Sequence, residues 1–382
     1  MSQKQTVRIL HTGDIHLDSP FSRLSLEQSE ERRGHLREAF SSLMATVREK
    51  EIDIALITGD LFDCAYVTAG TAALLIDELA ACPRCRFFIS PGNHDPYTET
   101  SLYAAGRLPE NVHVFKEQAL SSVTLPALDA VVWGWAFTSE RYEGAPLAGQ
   151  RVSDPTALNL ICGHGDVGVP LSPYGAISAA DLSAFGAVYA ALGHRHLQPM
   201  PTTVEGGCCW AYCGCLEGRS FDEPGTGGAW LVTAEREAGG AWSLTHERIT
   251  LSSRRYAIAT VDLTGVATQS EVARRIKLVI GEEGYDEDTS LRVILTGATP
   301  PDFAVPRTAN GKAWGLYYME LIDQTIPTYD AALLDKDMTV RGELYRSLLP
   351  KLTSGTPEER ATATRALRMG LAALAGNDIT TL

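Results

Sequence analysis

The chain has 382 residues, 45% of them hydrophobic and 21% charged, and a formal net charge of −14. That length supports a large core plus one or two smaller modules, and the balance excludes a disordered or fibrous chain and a stapled mini-domain. The acidic excess argues against gripping nucleic acid by phosphate neutralisation alone, so a nucleic-acid role needs metals, a local basic patch or a partner.

In chain order, Met1-Ser2-Gln3-Lys4-Gln5-Thr6 is polar and leads into a strand of only four residues, Val7–Leu10, too short for a signal-peptide apolar region. No run reaches the ~18–20 apolar residues of a membrane span, so a cytoplasmic protein is expected. Further apolar runs predict buried strands at Ile52–Thr58, Phe87–Ile89, Leu158–Ile161 and Val188–Leu192. Between them, Glu31–Lys50 carries Leu36, Phe40, Leu43, Met44 and Val47 on one helical face, and Thr71–Leu79 is a second helix. From about residue 206 the pattern changes to strands: Cys208–Cys215, Gly228–Thr233 and Trp242–Ile249, the last two joined through Ala238-Gly239-Gly240. A small α+β unit follows, with strands Tyr256–Leu263, Leu291–Leu295 and Trp314–Leu321, a helix Ser270–Glu282, and Thr299–Asp302 in a loop. Beyond Tyr329 the chain turns helical. Thr356-Pro357-Glu358-Glu359 combines an N-cap, a first-turn proline and a glutamate three residues after the cap. Leu367, Leu371 and Leu374 stripe that helix, which either packs on its own chain or faces a partner. The expected domains are 1–251, 252–328 and 329–382.

Five polar clusters punctuate the first 200 residues: Asp14-Ile15-His16, Gly59-Asp60-Leu61-Phe62-Asp63, Gly92-Asn93-His94-Asp95, Gly163-His164-Gly165 and Gly193-His194-Arg195-His196. Most follow a predicted strand, and ligands of α/β sheets collect beyond the carboxyl ends of strands, so all five loops can share one site. Glycines before Asp60, Asn93, His164 and His194 permit sharp bends. Imidazoles, carboxylates and one amide oxygen suit manganese, iron or zinc, with magnesium less apt. Asp60 is the natural bridge between two cations. In extended chain Asp14 and His16 point the same way, as do His194 and His196. Two divalent ions activate a water and offset charge on phosphoryl oxygens, which implies phosphodiester hydrolysis. His94 is then the candidate acid for the leaving alkoxide, with Asp95 orienting its ring and keeping it protonated. Asp63 reads as an orienting group behind a ligand or as a helix N-cap. Arg195 alternates away from the two ligands beside it and reads as structural, with phosphate contact as its other role. His11, His35, His113 and His246 read as surface or packing residues. Eight cysteines include Cys82-Pro83-Arg84-Cys85 and the cluster Cys208, Cys209, Cys213 and Cys215, but their spread along a strand favours packed thiols over a zinc site. Each cluster alone is a weak signal; five in this order are a strong one.

The clusters resemble the calcineurin-like metallophosphoesterase superfamily. Within it, Ile15-His16-Leu17-Asp18-Ser19-Pro20-Phe21, Gly59-Asp60-Leu61-Phe62-Asp63, and Tyr212-Cys213-Gly214-Cys215 followed by Phe221-Asp222-Glu223 are similar to the SbcD-type DNA repair exonucleases, especially the YhaO-like bacterial group. The resemblance spans roughly residues 7–250. It implies a mixed α/β fold, a four-layer αββα sandwich with an α+β cap domain and a helical C-terminal tail. It further implies one cation on Asp14, His16, Asp60 and His196, another on Asp60, Asn93, His164 and His194, manganese as the metal and His94 as the catalytic histidine. DNA is the implied substrate and an SbcC-like coiled-coil ATPase the implied partner, docked on the C-terminal helices; the oligomeric state stays open, a homodimer included.

The leading expectation is therefore a metal-dependent DNA exonuclease subunit. A small-molecule phosphodiesterase or phosphatase would share every catalytic residue, and the long extension after the catalytic domain favours the larger substrate. A non-catalytic subunit is disfavoured because no ligand or acid is missing.

Overall fold

Alternation of apolar side chains along the central strands divides each of them between two cores, and that division sets the architecture of the first half of the chain. The computed structural model describes residues 4–376 apart from 23, 65–66, 198, 206, 238, 301–302, 304 and 307–308. Met1–Gln3, Ala238 of the expected turn and Pro301–Asp302 of the expected loop lie outside the described residues. The chain divides into two compact units, residues 1–255 and 256–382.

One sheet of the first unit is formed by β1 (Gln5–Thr12), β2 (Ile54–Ile57), β3 (Arg86–Ile89), β4 (Val112–Val114), β13 (Gly225–Arg236) and the first part of β14 (Ser243–Asp262), in the order β14-β13-β1-β2-β3-β4. The strands of the second are β5 (Ser121–Leu125), β6 (Ala130–Gly134), β7 (Leu158–His164), β10 (Tyr189–Gly193), β11 (Thr202–Thr203) and β12 (Cys209–Tyr212). Their order is β11-β12-β10-β7-β6-β5. A short pair, β8 (Asp166–Val167) and β9 (Ala176–Ile177), lies beyond β7. Strands β4, β5 and β6 are not among the strands expected from the sequence, although β6 lies in the apolar run Ala130–Phe137.

Val7, Ile9, Ile54, Leu56 and Phe88 of the first sheet pack against Leu158, Leu160, Cys162, Tyr189 and Ala191 of the second. Their neighbours Leu10, Ala55, Ile57, Phe87 and Ile89 face outward onto Leu36, Phe40, Leu43 and Met44 of α1 (Leu26–Glu49) and Leu75 and Leu79 of α2 (Ala69–Ala80). On the other side Ile161, Ala190 and Leu192 meet Leu182 and Phe185 of α3 (Ala179–Phe185). The layers are thus helix, sheet, sheet, helix, the four-layer sandwich expected, and each fully buried leucine or phenylalanine contributes roughly 2 kcal/mol. Helix α1 starts earlier than its apolar face suggested, because Ser25 and Gln28 form a capping box ahead of Glu31.

In the second unit α4 (Gln269–Glu282) lays Val272 and Ile276 on β15 (Thr289–Thr296), which pairs in parallel with β17 (Tyr318–Asp323). Two-residue strands β16 (Ala298–Thr299) and β18 (Ile326–Pro327) pair beside them. Helices α5 (Ala331–Lys336), α6 (Val340–Ser354) and α7 (Pro357–Leu374) share a small core of Leu334, Tyr345, Leu367 and Leu371. Arg368 of α7 ties them to the strands, reaching Asp323 Oδ2 at 3.1 Å and Thr325 Oγ1 at 2.8 Å. The leucine stripe of α7 is therefore largely spent inside its own unit. Among the described residues no helix is long and apolar enough to cross a membrane.

Candidate metal centre

Strands β1, β2 and β3 run parallel in adjacent positions, so the loops after Thr12, Ile57 and Ile89 leave the sheet side by side. Across the sandwich β7 and β10 are parallel neighbours with Gly193 level with His164, which brings the remaining two clusters to the same rim. The loops are laced together: Asp14 N donates to Gly59 O and His16 N to Asp60 O, both at 2.9 Å. Asp14, His16, Asp60 and His194 have φ of +46°, +51°, +49° and +100°. The expectation that Asp14 and His16, and likewise His194 and His196, share a face through extended chain is corrected. Left-handed kinks, each costing about 1–3 kcal/mol, aim these side chains instead. Gly59 has φ +90°, and a side chain on Gly92 would run into the Asp60 carboxylate.

Seven expected ligands converge in two overlapping groups. Asp14, His16, Asp60 and His196 each offer a donor atom, all within 4.8 Å of one another. His16 Nε2 and His196 Nε2 face each other at 3.2 Å. His16 Nδ1 lies 2.9 Å from Asp63 Oδ1 and His196 Nδ1 lies 2.7 Å from Glu223 Oε1. Glu223 places the His196 ring hydrogen on Nδ1, and the Asp63 carboxylate, close to His16 Nδ1 but outside hydrogen-bond geometry, favours the same tautomer there, which leaves two bare Nε2 lone pairs pointed at one another. In the second group His164 donates from Nδ1 to Thr58 O at 2.8 Å, leaving Nε2 as a lone pair 3.0 Å from Asn93 Oδ1. Asn93 Oδ1 is also 3.2 Å from His194 Nδ1. One oxygen, Asp60 Oδ2, serves both groups, 3.8 Å from His16 Nε2 and 3.6 Å from His164 Nε2, while Oδ1 accepts the His94 N–H. Acceptors facing acceptors repel unless cations lie between them. The residues present therefore fit two divalent ions sharing Asp60.

At His194 electrostatics agree with that use, whereas at His196 they favour the proton that a cation would have to displace. Burial, then the charge of His164, lowers the His194 pKa to about 4, so the ring is neutral and able to ligate. Burial opposes the charged form of His196, but Glu223 and then Asp14 outweigh it, and its pKa lies above the ordinary value. Arg219 binds the two orienting carboxylates at once, Nη1 to Asp63 Oδ1 at 2.7 Å and Nη2 to Glu223 Oε1 at 2.9 Å. Asp63 is thus an orienting group behind His16; the N-cap of α2 is Thr68. Neither Arg219 nor the partner role of Glu223 was read from the sequence. Only the Phe221-Asp222-Glu223 match flagged the segment. Cys82, Cys85, Cys162, Cys208, Cys209, Cys213 and Cys215 are buried thiols, and Cys213 sits 3.6 Å from Asp14 Oδ2, behind a candidate ligand. No cysteine joins a metal-holding group among the described residues.

His94 and Asp95 part company. His94 is 44% exposed at the side chain and its Nδ1 lies 3.3 Å from Asp63 O. Asp95 was expected to orient that ring. It is buried instead, accepting from the backbone N–H groups of Asp60, Leu61, Phe62 and Gly92 and from Tyr103 Oη at 2.6 Å. Those donors draw its carboxylate inward, and Asp63 is the acid beside His94, 4.0 Å away. Burial and the Asp60 charge raise the Asp95 pKa to about 6.

Residues 7–196 match the family model for calcineurin-like phosphoesterases. The chain is 27% identical over 235 residues to the uncharacterized metallophosphoesterase YhaO of Bacillus subtilis, covering 58% of this chain and 56% of that protein. It thus spans little more than half of that relative's length. Solved structures with similarity include TT1561 of Thermus thermophilus, at 13% identity, and a dimetal phosphatase from Danio rerio, at 11%. Each has a TM-score of 0.39, with 64% of this chain and 99% of that chain covered.

Proposed function

We propose, from the match of residues 7–196 to the calcineurin-like phosphoesterase model, that this chain is a phosphodiesterase acting on DNA, the nuclease subunit of a complex with a coiled-coil ATPase. The observation that carries the phosphodiesterase reading is the convergence of seven donors on two positions that share Asp60 Oδ2, with an exposed histidine at the rim. Asp14, His16, Asp60 and His196 would hold one cation and Asp60, Asn93, His164 and His194 the other. When bound, the ions would supply an activated water and offset the charge that builds on the phosphoryl oxygens. Asp63, Glu223 and Thr58 O hold the ring hydrogens of His16, His196 and His164 away from the site. The Asp63 carbonyl, 3.3 Å from His94 Nδ1, accepts that hydrogen, so the opposite nitrogen is the one to hand a proton to the leaving alkoxide.

DNA as substrate is supported by the resemblance of the motifs to the SbcD-type nucleases and by the second unit, which a small-molecule enzyme has less need of. The net charge of −14 favours the rival, a phosphodiesterase of small molecules, unless a partner supplies DNA affinity. The purified chain with manganese should release nucleotides from end-labelled DNA, and His94→Asn should lower kcat about 10²–10⁴-fold with manganese stoichiometry intact. Cleavage of small diesters alone, with DNA untouched even after the ATPase is added, would sink the nuclease reading. Unchanged turnover in His94→Asn would remove the assigned acid.

A further inference from the structure

The ligand cluster Gly193-His194-Arg195-His196 places an arginine between two metal-binding histidines, and the centre described above gives that arginine no task. Its guanidinium is held from one side by Asp166, with Nε 2.8 Å and Nη2 2.7 Å from Oδ1. Asp166 is itself buried and fixed, since Ser172 Oγ donates to its other oxygen at 2.6 Å and its N–H bonds the Tyr174 and Gly175 carbonyls. The same Oδ1 lies 3.7 Å from His194 Nε2, on the ring edge opposite the nitrogen that faces Asn93. In order outward from the metal position stand His194, Asp166 and Arg195. The His194 and Asp166 distances put the Arg195 Nη2 no more than about 6.4 Å from His194 Nε2.

A pair that existed only to neutralise Asp166 would be best buried on both sides, yet the Arg195 side chain is 51% exposed while that of Asp166 is 6%. A buried acid thus fixes an exposed guanidinium at the edge of the centre. Arginine presents a rigid planar fork matched to phosphate oxygens, and a fork already held on one edge loses little entropy on binding a second anion.

We propose that Arg195 is a substrate-positioning residue that binds a phosphate of the same strand next to the one being cleaved. It thereby selects substrates with at least two consecutive phosphates over isolated diesters. This rests on the phosphodiesterase reading and specifies its substrate class. A positive group at this point also gives an acidic protein a local contact for a polyanion.

The test compares Arg195→Gln, Arg195→Lys and wild type on hexathymidylate and on bis(p-nitrophenyl) phosphate, which has a single phosphate. Arg195→Gln should lower the preference in kcat/KM for the oligonucleotide about tenfold, mostly through KM. Arg195→Lys should recover part of that preference. The salt dependence of log KM for the oligonucleotide should fall by roughly 0.7 in Arg195→Gln, the value for one lost contact to a single strand. Calorimetric titration with manganese should give the same stoichiometry in all three proteins. An equal loss on both substrates, with weakened manganese binding, would show that Arg195 acts only through His194 and overturn the proposal. An unchanged preference and salt slope would overturn it too. Wild type that cleaves the small diester but never hexathymidylate would instead defeat the nucleic-acid reading on which the proposal stands.

Discussion

Asp95 follows His94 in the chain but serves it only at a distance. Its carboxylate gathers four backbone N–H groups from two ligand loops and the Tyr103 hydroxyl, so it fixes the spacing between Asp60 and Asn93. Asp95→Asn turns an acceptor into a donor among donors, and each buried group left unpaired costs about 1–3 kcal/mol. We expect the substitution to lower stability in urea denaturation by at least that much and to weaken manganese binding. If His94 alone is the acid, the pH-rate limb assigned to it should stay in place. A displaced limb with unchanged stability would restore Asp95 as a direct partner of His94. The candidate ligands stood out in the sequence because their residue types are unusual at strand ends. The residues behind them were not: Arg219 reaches Asp63 across 156 positions and Glu223 reaches His196 across 27, and neither separation leaves a local pattern.

At the level of elements, legibility followed burial. Strands β2, β3, β7 and β10 are almost wholly buried, read as continuous apolar runs, and lie where their sequences place them. Strand β5 is mostly exposed and α3 has only seven residues, so neither pattern rose above its surroundings, whereas β6 is a short apolar run, Ala130–Gly134, absent from the strands expected. His11 on β1 shows what tertiary context adds. Taken from the sequence as a surface or packing residue, it is fully buried between the sheets, with Nδ1 2.8 Å from Tyr189 Oη and Nε2 3.1 Å from Leu192 O. Nε2–H donates to the carbonyl, and in the neutral ring Nδ1 accepts from the phenol. Burial lowers its pKa to about 3, whereas the unfolded chain titrates at an ordinary value near 6.5. The unfolded state therefore takes up a proton first as pH falls. This contribution is fully present above pH ~6.5 and is lost progressively toward pH ~3, amounting to roughly 3 kcal/mol by pH ~4. His11→Gln should be less stable at pH 7 and show a shallower fall in urea midpoint over that window. Parallel pH profiles for the two proteins would mean that His11 does not carry the effect.

Across the whole molecule the charge and the metal centre act together. The chain carries −14, and the centre concentrates Asp14, Asp60, Asp63 and Glu223 with lone pairs turned toward one another, an arrangement that is costly without cations. Every donor lies between residues 14 and 196, in loops whose meeting requires the two sheets of the first unit to be formed. Cations held there would bind the folded first unit and not its unfolded chain, and linkage would stabilise that unit by about 2.7 kcal/mol per site at a free ion concentration 100 times Kd. Chelation should remove this stabilisation, and hydrogen exchange can show where. Amides of β1, β2, β7 and β10 are expected to lose protection when manganese is withdrawn, because their strand ends carry the ligands. Amides of α4, β15 and β17 should keep theirs, since none of the seven candidate donors comes from residues 256–382. An equal loss in both sets would mean that the two units open in one cooperative step, and no loss in either would mean that the donors do not bind manganese at this concentration.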